Sequence, residues 1–163
     1  MIKKALLWLL ILALALTAFF VIRHMTRTDE QRVRGVIDSL INNLESSNIY
    51  RCMWGMRRHL SARYVHRGEN ADVVIDKQLA LAYIEQMKTE YTDFKVEVDR
   101  LDLTLSGDTA RVIVTGRITA VRSDDASHRR VEVMTDGHNM AVIDLKKEEG
   151  DWVVIGSERL SRQ

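Results

Sequence analysis

An α+β fold preceded by an N-terminal transmembrane helix is the class this sequence predicts, and three observations carry it. A charge-free apolar run occupies residues 5–22; helix-period patterns follow as far as Tyr91; from Thr92 onward the apolar period drops from 3.6 to 2. Helices first and alternating strands afterwards is the order of a few helices packed on one face of a bent antiparallel sheet.

The N-terminus reads MIKKALLWLLILALALTAFFVIRHMTRT, with Thr17 the only polar residue between Ala5 and Ile22. As a helix this run is roughly 27 Å long, close to the hydrocarbon thickness of about 30 Å. A cleavable signal peptide competes, since Ala13-Leu14-Ala15 fits the small-x-small rule, but the apolar run continues past Ala15 with no polar cleavage region. An uncleaved anchor is therefore preferred, with residues 1–27 as anchor and tether and 28–163 as one domain. Lys3 and Lys4 ahead of the span favour a signal anchor with the domain on the periplasmic or extracytoplasmic side. Arg23, Arg27, Arg32 and Arg34 behind it count the other way, with Asp29 and Glu30 among them. Five residues separate Ile22 from Thr28 and reach about 17 Å when extended, so the domain is expected at the bilayer surface.

Beyond the tether, Thr28-x-x-Gln31 has the form of a capping box. It opens a helix with Val33, Val36, Ile37, Leu40, Ile41 and Leu44 on one face. Residues 49–65 repeat the helical spacing through Ile49, Met53, Met56, Leu60 and Tyr64. Asp76 is the cap candidate of a third helix with Leu79, Ala80, Tyr83, Ile84, Met87 and Tyr91 in register, after a turn-rich stretch holding one short strand at 72–75.

In the β half, Phe94, Val96 and Val98 take even positions and Leu101, Leu103 and Leu105 odd ones. A strand cannot change its buried face without an extra residue, so a β-bulge is expected at Asp99-Arg100. "SGD" at 106–108 turns into an alternating strand from Ala110 to Ala120, "SDDAS" leads to Val131 and Val133, and "KEEGD" precedes a final strand at 152–160. "TDGHN" at 135–139 is a hairpin signal that also suits a wide bulge. The bulge is preferred because both flanks can then pair with the strand at 109–122.

The stretches "DKQLALAYIEQM", "FKVEVDRLDLTLSGDTARVIVTGRIT" and "MAVIDLKKEEGDWVVIGSE", in this order of elements, resemble the nuclear transport factor 2-like superfamily, which includes the SnoaL-like and ketosteroid-isomerase-like domains. The resemblance spans roughly residues 29–160. It implies a cone-shaped domain in which the curved sheet wraps about three helices, often around a pocket, on four or more strands. Some members are isomerases or dehydratases, many are binding or assembly domains, and several carry a single N-terminal helix, so fold alone does not choose a function. An anchored relative, the bridging subunit of type IV secretion systems, has an Asn-Pro-x-Gly motif that a chain without proline cannot contain.

Composition excludes some classes. The one cysteine, Cys52, cannot form an internal disulfide, and without Lys3 and Lys4 the chain has 22 basic and 23 acidic residues, which disfavours nucleic-acid binding. No phosphate loop, metal motif or nucleophile elbow is present, and no cofactor is implied. An isomerase of the ketosteroid type would resemble its family by placing a Tyr on the first helix, which has none here. The strand aspartates Asp99, Asp102 and Asp144 read as solvated, and His138 beside Asp136 reads as an exposed turn pair rather than a catalytic one.

The densest stretch is "RCMWGMRRHL" at 51–60. On a helical wheel Cys52, Met56 and His59 share one side, a donor set that would suit Cu(I), although Met and free Cys more often fill a core. Arg51, Trp54 and Arg58 share the other side, with Trp54 and Arg58 spaced for a cation-π pair. Three roles stay open for that side: anionic lipid headgroups, a partner protein, or burial of Trp54 under the first helix. The expected function is a membrane-anchored, non-catalytic domain that binds a partner protein or a small apolar ligand at the membrane surface. The alternative is an isomerase- or dehydratase-like enzyme using the cone pocket.

Overall fold

The computed structural model describes residues 28–68, 74–133 and 139–160. The anchor at 5–22, the pair Asp136 and His138, and most of the 135–139 segment lie outside them. Among the described residues no helix is long and apolar enough to cross a membrane. The chain divides into two units, residues 1–32 and 33–163.

Helix α1, Asp29–Glu45, opens as its sequence dictates: Gln31 N–H donates to Thr28 Oγ1, and Thr28 N–H to Gln31 Oε1, both at 3.3 Å. Helix α2, Ile49–His59, is capped by Asn48, whose side chain accepts from Arg51 N–H. It ends six residues earlier than the helical spacing predicts. Leu60 is extended, and Leu60–Arg67 forms strand β1. Positions 56, 60 and 64 serve a helix stripe and an alternating strand alike, so spacing cannot separate the two. The stop is stabilised by the ammonium of Lys77, which donates to the carbonyls of Arg57 and Leu60.

After the short strand β2, Val74–Asp76, the cap Asp76 accepts from Leu79 N–H at 2.9 Å and starts α3, Lys77–Glu90. The buried side of α3 is turned from the expected one. Leu81 and Met87 are buried with Ala80 and Ile84 partly so, whereas Leu79 and Tyr83 are exposed. Leu81, which the expected stripe omitted, packs into the main core.

Strands β3 (Tyr91–Ser106), β4 (Thr109–Arg122), β5 (Arg130–Glu132), β6 (Asn139–Glu148) and β7 (Asp151–Leu160) complete one seven-stranded sheet, ordered β2-β1-β7-β6-β4-β3 with β5 beside β4. The sheet is mixed, not antiparallel throughout: β1 runs parallel to β7. The expected bulge is present, since Val98 pairs with Gly116 and Arg100 with Thr115, which leaves Asp99 extra. A second irregularity, between Thr92 and Lys95, places Asp93 at φ 50°. The β6–β7 turn carries positive φ at both Glu149 and Gly150, the backbone that a tight hairpin requires. β5 and β6 both pair antiparallel with β4, as expected of the two flanks of the 135–139 segment, which itself lies outside the described residues.

The main core joins Val33, Val36 and Ile37 of α1, Cys52 and Met56 of α2, Tyr64, Leu81, Val112, Leu145, Trp152 and Val154. A second cluster, Met87, Phe94, Ala120 and Val133, fills the far end of the β3–β4 pair. Between the two, Glu45 at the end of α1 accepts the Val96 N–H at 2.8 Å and holds the helix to β3.

Candidate functional site

Two places in the domain combine chemistry with access. The first is the outer side of α2. Cys52 and Met56 point into the core, which leaves the opposite side of the helix to solvent: Trp54 is 66 % exposed and Tyr50 83 % exposed, with Arg51, Arg57 and Arg58 exposed among them. The Arg58 guanidinium sits 5.6 Å from the centre of the Trp54 ring. Burial of Trp54 beneath α1, one of the three roles the sequence left open, is therefore overturned. Tyr50 was missed by sequence reasoning, although it precedes Trp54 by one helical turn and extends the same stripe.

The sulfur side of α2 is structural in its placement. Cys52 is fully buried among α1 residues, and desolvation pushes its thiol pKa up, away from the thiolate that binds metals. Burial, aided by Arg58, lowers the pKa of His59. Among the described residues no group of three or more His, Cys, Asp and Glu could hold a metal ion.

The second place lies on the helix-packed face of the sheet. A cross-strand row there runs Ile75, His66, Ser157, Ile143, Val112, Leu103 through β2, β1, β7, β6, β4 and β3. His66 and Ser157 are its only polar members. Ser157 Oγ lies 2.8 Å from His66 Nδ1 and 2.7 Å from the hydroxyl of Tyr64, which is itself buried in the main core. Burial raises the Tyr64 pKa and lowers that of His66, so the imidazole is held toward its neutral form. None of these three residues stood out as a site in the sequence, where Tyr64 reads as helix core; the pairing that unites them spans 91 residues.

The strand carboxylates lie elsewhere. Asp99 and Asp102 are exposed beside the bulge, with Asp102 paired to Arg100 at 2.7 Å; Asp144 is bidentate to Arg111 across β6 and β4.

The sequence matches no family model and no curated protein. Solved structures do match. A protein from Cytophaga hutchinsonii, described as nuclear transport factor 2-like, superposes with a TM-score of 0.63 at 12 % identity, covering 83 % of this chain and 100 % of its own. Another of that description, of unknown function, from Pseudomonas putida KT2440 gives 0.60 at 18 % identity over 80 % and 84 %. A superfamily protein from Salmonella enterica serovar Typhimurium gives 0.64 at 10 % over 82 % and 92 %. Identities this low speak for architecture alone, and the architecture they share with this chain is the nuclear transport factor 2-like fold.

Proposed function

We propose that this chain is a membrane-anchored, non-catalytic binding domain. Residues 5–22 serve as the anchor, the folded domain lies on the periplasmic or extracytoplasmic side, and the outer side of α2 docks a partner protein with an acidic surface. One observation carries the reading: Trp54 is presented to solvent with Arg58 stacked over it, beside Tyr50 and Arg51, on a helix that contains no acidic residue. Exposed aromatics next to arginine are the residue types that dominate protein interfaces. Desolvating Arg51 and Arg58 is favourable only against negative charge.

The test is a photo-crosslinking residue at position 54 of the full-length chain in its own membranes. A discrete protein adduct that disappears in the Arg51→Glu, Arg58→Glu double variant supports the reading. Adducts to anionic lipid alone reassign the surface to headgroups, and no adduct of either kind refutes it.

A second mode of binding, to a small apolar ligand, is favoured by the Tyr64–Ser157–His66 chain, two polar positions set into an otherwise aliphatic row.

A further inference from the structure

Strand β3 is one end of the sheet: β4 lies along one side of it, and among the described residues no strand lies along the other. It is 16 residues long, and a long edge offers its main-chain groups to any strand that can align with them. The first half of this edge is spoiled for pairing. Asp93 has φ 50°, the N–H of Val96 is taken by Glu45, and Asp99 is the extra residue of the bulge. From Arg100 to Ser106 none of these devices recurs: the pairing with β4 is unbroken, and the segment contains no proline, glycine or lysine.

Which groups face outward follows from Val96. Its N–H points away from β4, so that of Val98 does too, and the bulge moves the alternation on by one residue. Beyond the bulge the outward main-chain groups are therefore those of Leu101, Leu103 and Leu105. Leu101 and Leu103 pack their side chains on the main core, whereas Leu105 is 40 % exposed.

A second copy of this segment fits the edge in one register. In a two-fold antiparallel pair one residue lies opposite itself. If that residue is Asp102, two carboxylates oppose each other. If it is Leu101, the ladder meets the Asp99 bulge two positions away; if it is Thr104, Leu101 falls opposite the turn at Gly107. With Leu103 at the centre, the whole segment 100–106 pairs with itself. Leu101 then faces Leu105, Asp102 faces Thr104 and Arg100 faces Ser106, so no like charges meet. Arg100 keeps its 2.7 Å ion pair to its own Asp102, and the segment brings no uncompensated charge to the junction. Each outward N–H meets an outward carbonyl, and the exposed Leu105 is covered by Leu101 of the second copy.

We propose that β3 is a self-association edge: two copies of this chain join antiparallel along residues 100–106, centred on Leu103, into one continuous sheet. This contact is separate from the α2 surface and does not depend on it.

In this register Asp102 and Thr104 of the second copy form a non-hydrogen-bonded pair, whose Cα atoms stand about 4.5 Å apart, within disulfide reach. The test coexpresses full-length Asp102→Cys and Thr104→Cys chains; Cys52 is buried and does not compete. On mild oxidation of the membranes the mixture is expected to yield at least about fivefold more disulfide dimer than either variant alone, because like positions lie on the diagonal and beyond reach. Leu105→Lys, at an exposed position, is expected to weaken the dimer of the detergent-solubilised chain by at least about tenfold in Kd while the circular-dichroism spectrum of the folded domain is retained. Equally efficient cross-linking of Asp102→Cys alone would overturn the Leu103 register. A chain that sediments as a monomer at every concentration, or a dimer whose Kd is unchanged by Leu105→Lys, would overturn the edge as the contact.

Discussion

Gly116 lies so close to the peptide of Glu97 that a Cβ on it would stand 2.2 Å from the Glu97 carbonyl oxygen. The obstacle is backbone, which cannot rotate away as a side chain could. Gly116 pairs with Val98, the residue just before the Asp99 bulge, so the missing side chain is what lets β3 and β4 close up where the extra residue is accommodated. Gly116→Ala is expected to destabilise the domain by about 1–3 kcal/mol, as forced overpacking does. Denaturant titration would show this as a lower midpoint with little change in slope, and an unchanged midpoint would mean that the bulge can shift.

Asp76 carries the start of α3 through one accepted bond from Leu79 N–H. Asp76→Ala removes that acceptor and is expected to cost about 1 kcal/mol, while Asp76→Asn keeps most of the stability. Thermal unfolding of the two variants side by side separates the cap from the loss of charge.

Stability should fall on mild acidification. Burial holds His59 and His66 below the ordinary histidine pKa of about 6.5, so the unfolded chain takes up protons before the folded one as pH drops. The stabilising contribution is complete above about 6.5. It is lost as pH falls through the interval down to each lowered folded value, below which it levels off. A His59→Gln, His66→Gln variant should show a flatter dependence of unfolding free energy between pH 7 and 5.5 than the parent chain. Parallel curves would refute this origin.

Truncation at the α2 surface should leave the fold intact. Trp54 is exposed and contributes to neither core cluster, so Trp54→Ala is expected to change unfolding free energy by no more than about 0.5 kcal/mol, in contrast to the buried Trp152, where truncation should cost about 3–5 kcal/mol. A large loss at position 54 would place the ring in a structural role.

Local features were legible in the sequence because each is written within a few residues. The Thr28 and Gln31 box, the Asp76 cap, the face switch at Asp99 and the turns at 106–109 and 148–151 all appear where expected. The errors share a physical cause. Leu60 and Tyr64 satisfy helix and strand periods together, and only the parallel pairing of β1 with β7 decides between them. The mixed sheet and the Tyr64–Ser157–His66 chain depend on that same long-range pairing, which no local pattern encodes. On α3, Leu79 and Tyr83 read as core by spacing, yet the packing of Leu81 turns them outward.

The place of β7 in the sheet also bears on how the domain comes to exist. It follows every other strand in the chain, yet it stands between β1 on one side and β6 on the other. While the polypeptide is being made, β3, β4 and β6 can pair as they emerge, because each meets a neighbour close behind it. The β1–β2 ribbon, synthesised long before, has nothing to join until residues 151–160 arrive, and until then the helices it connects cannot close over a complete sheet. The final assembly step is thus the arrival of one ten-residue strand, and a nascent chain halted before Asp151 would hold two partial sheets with exposed edges between them.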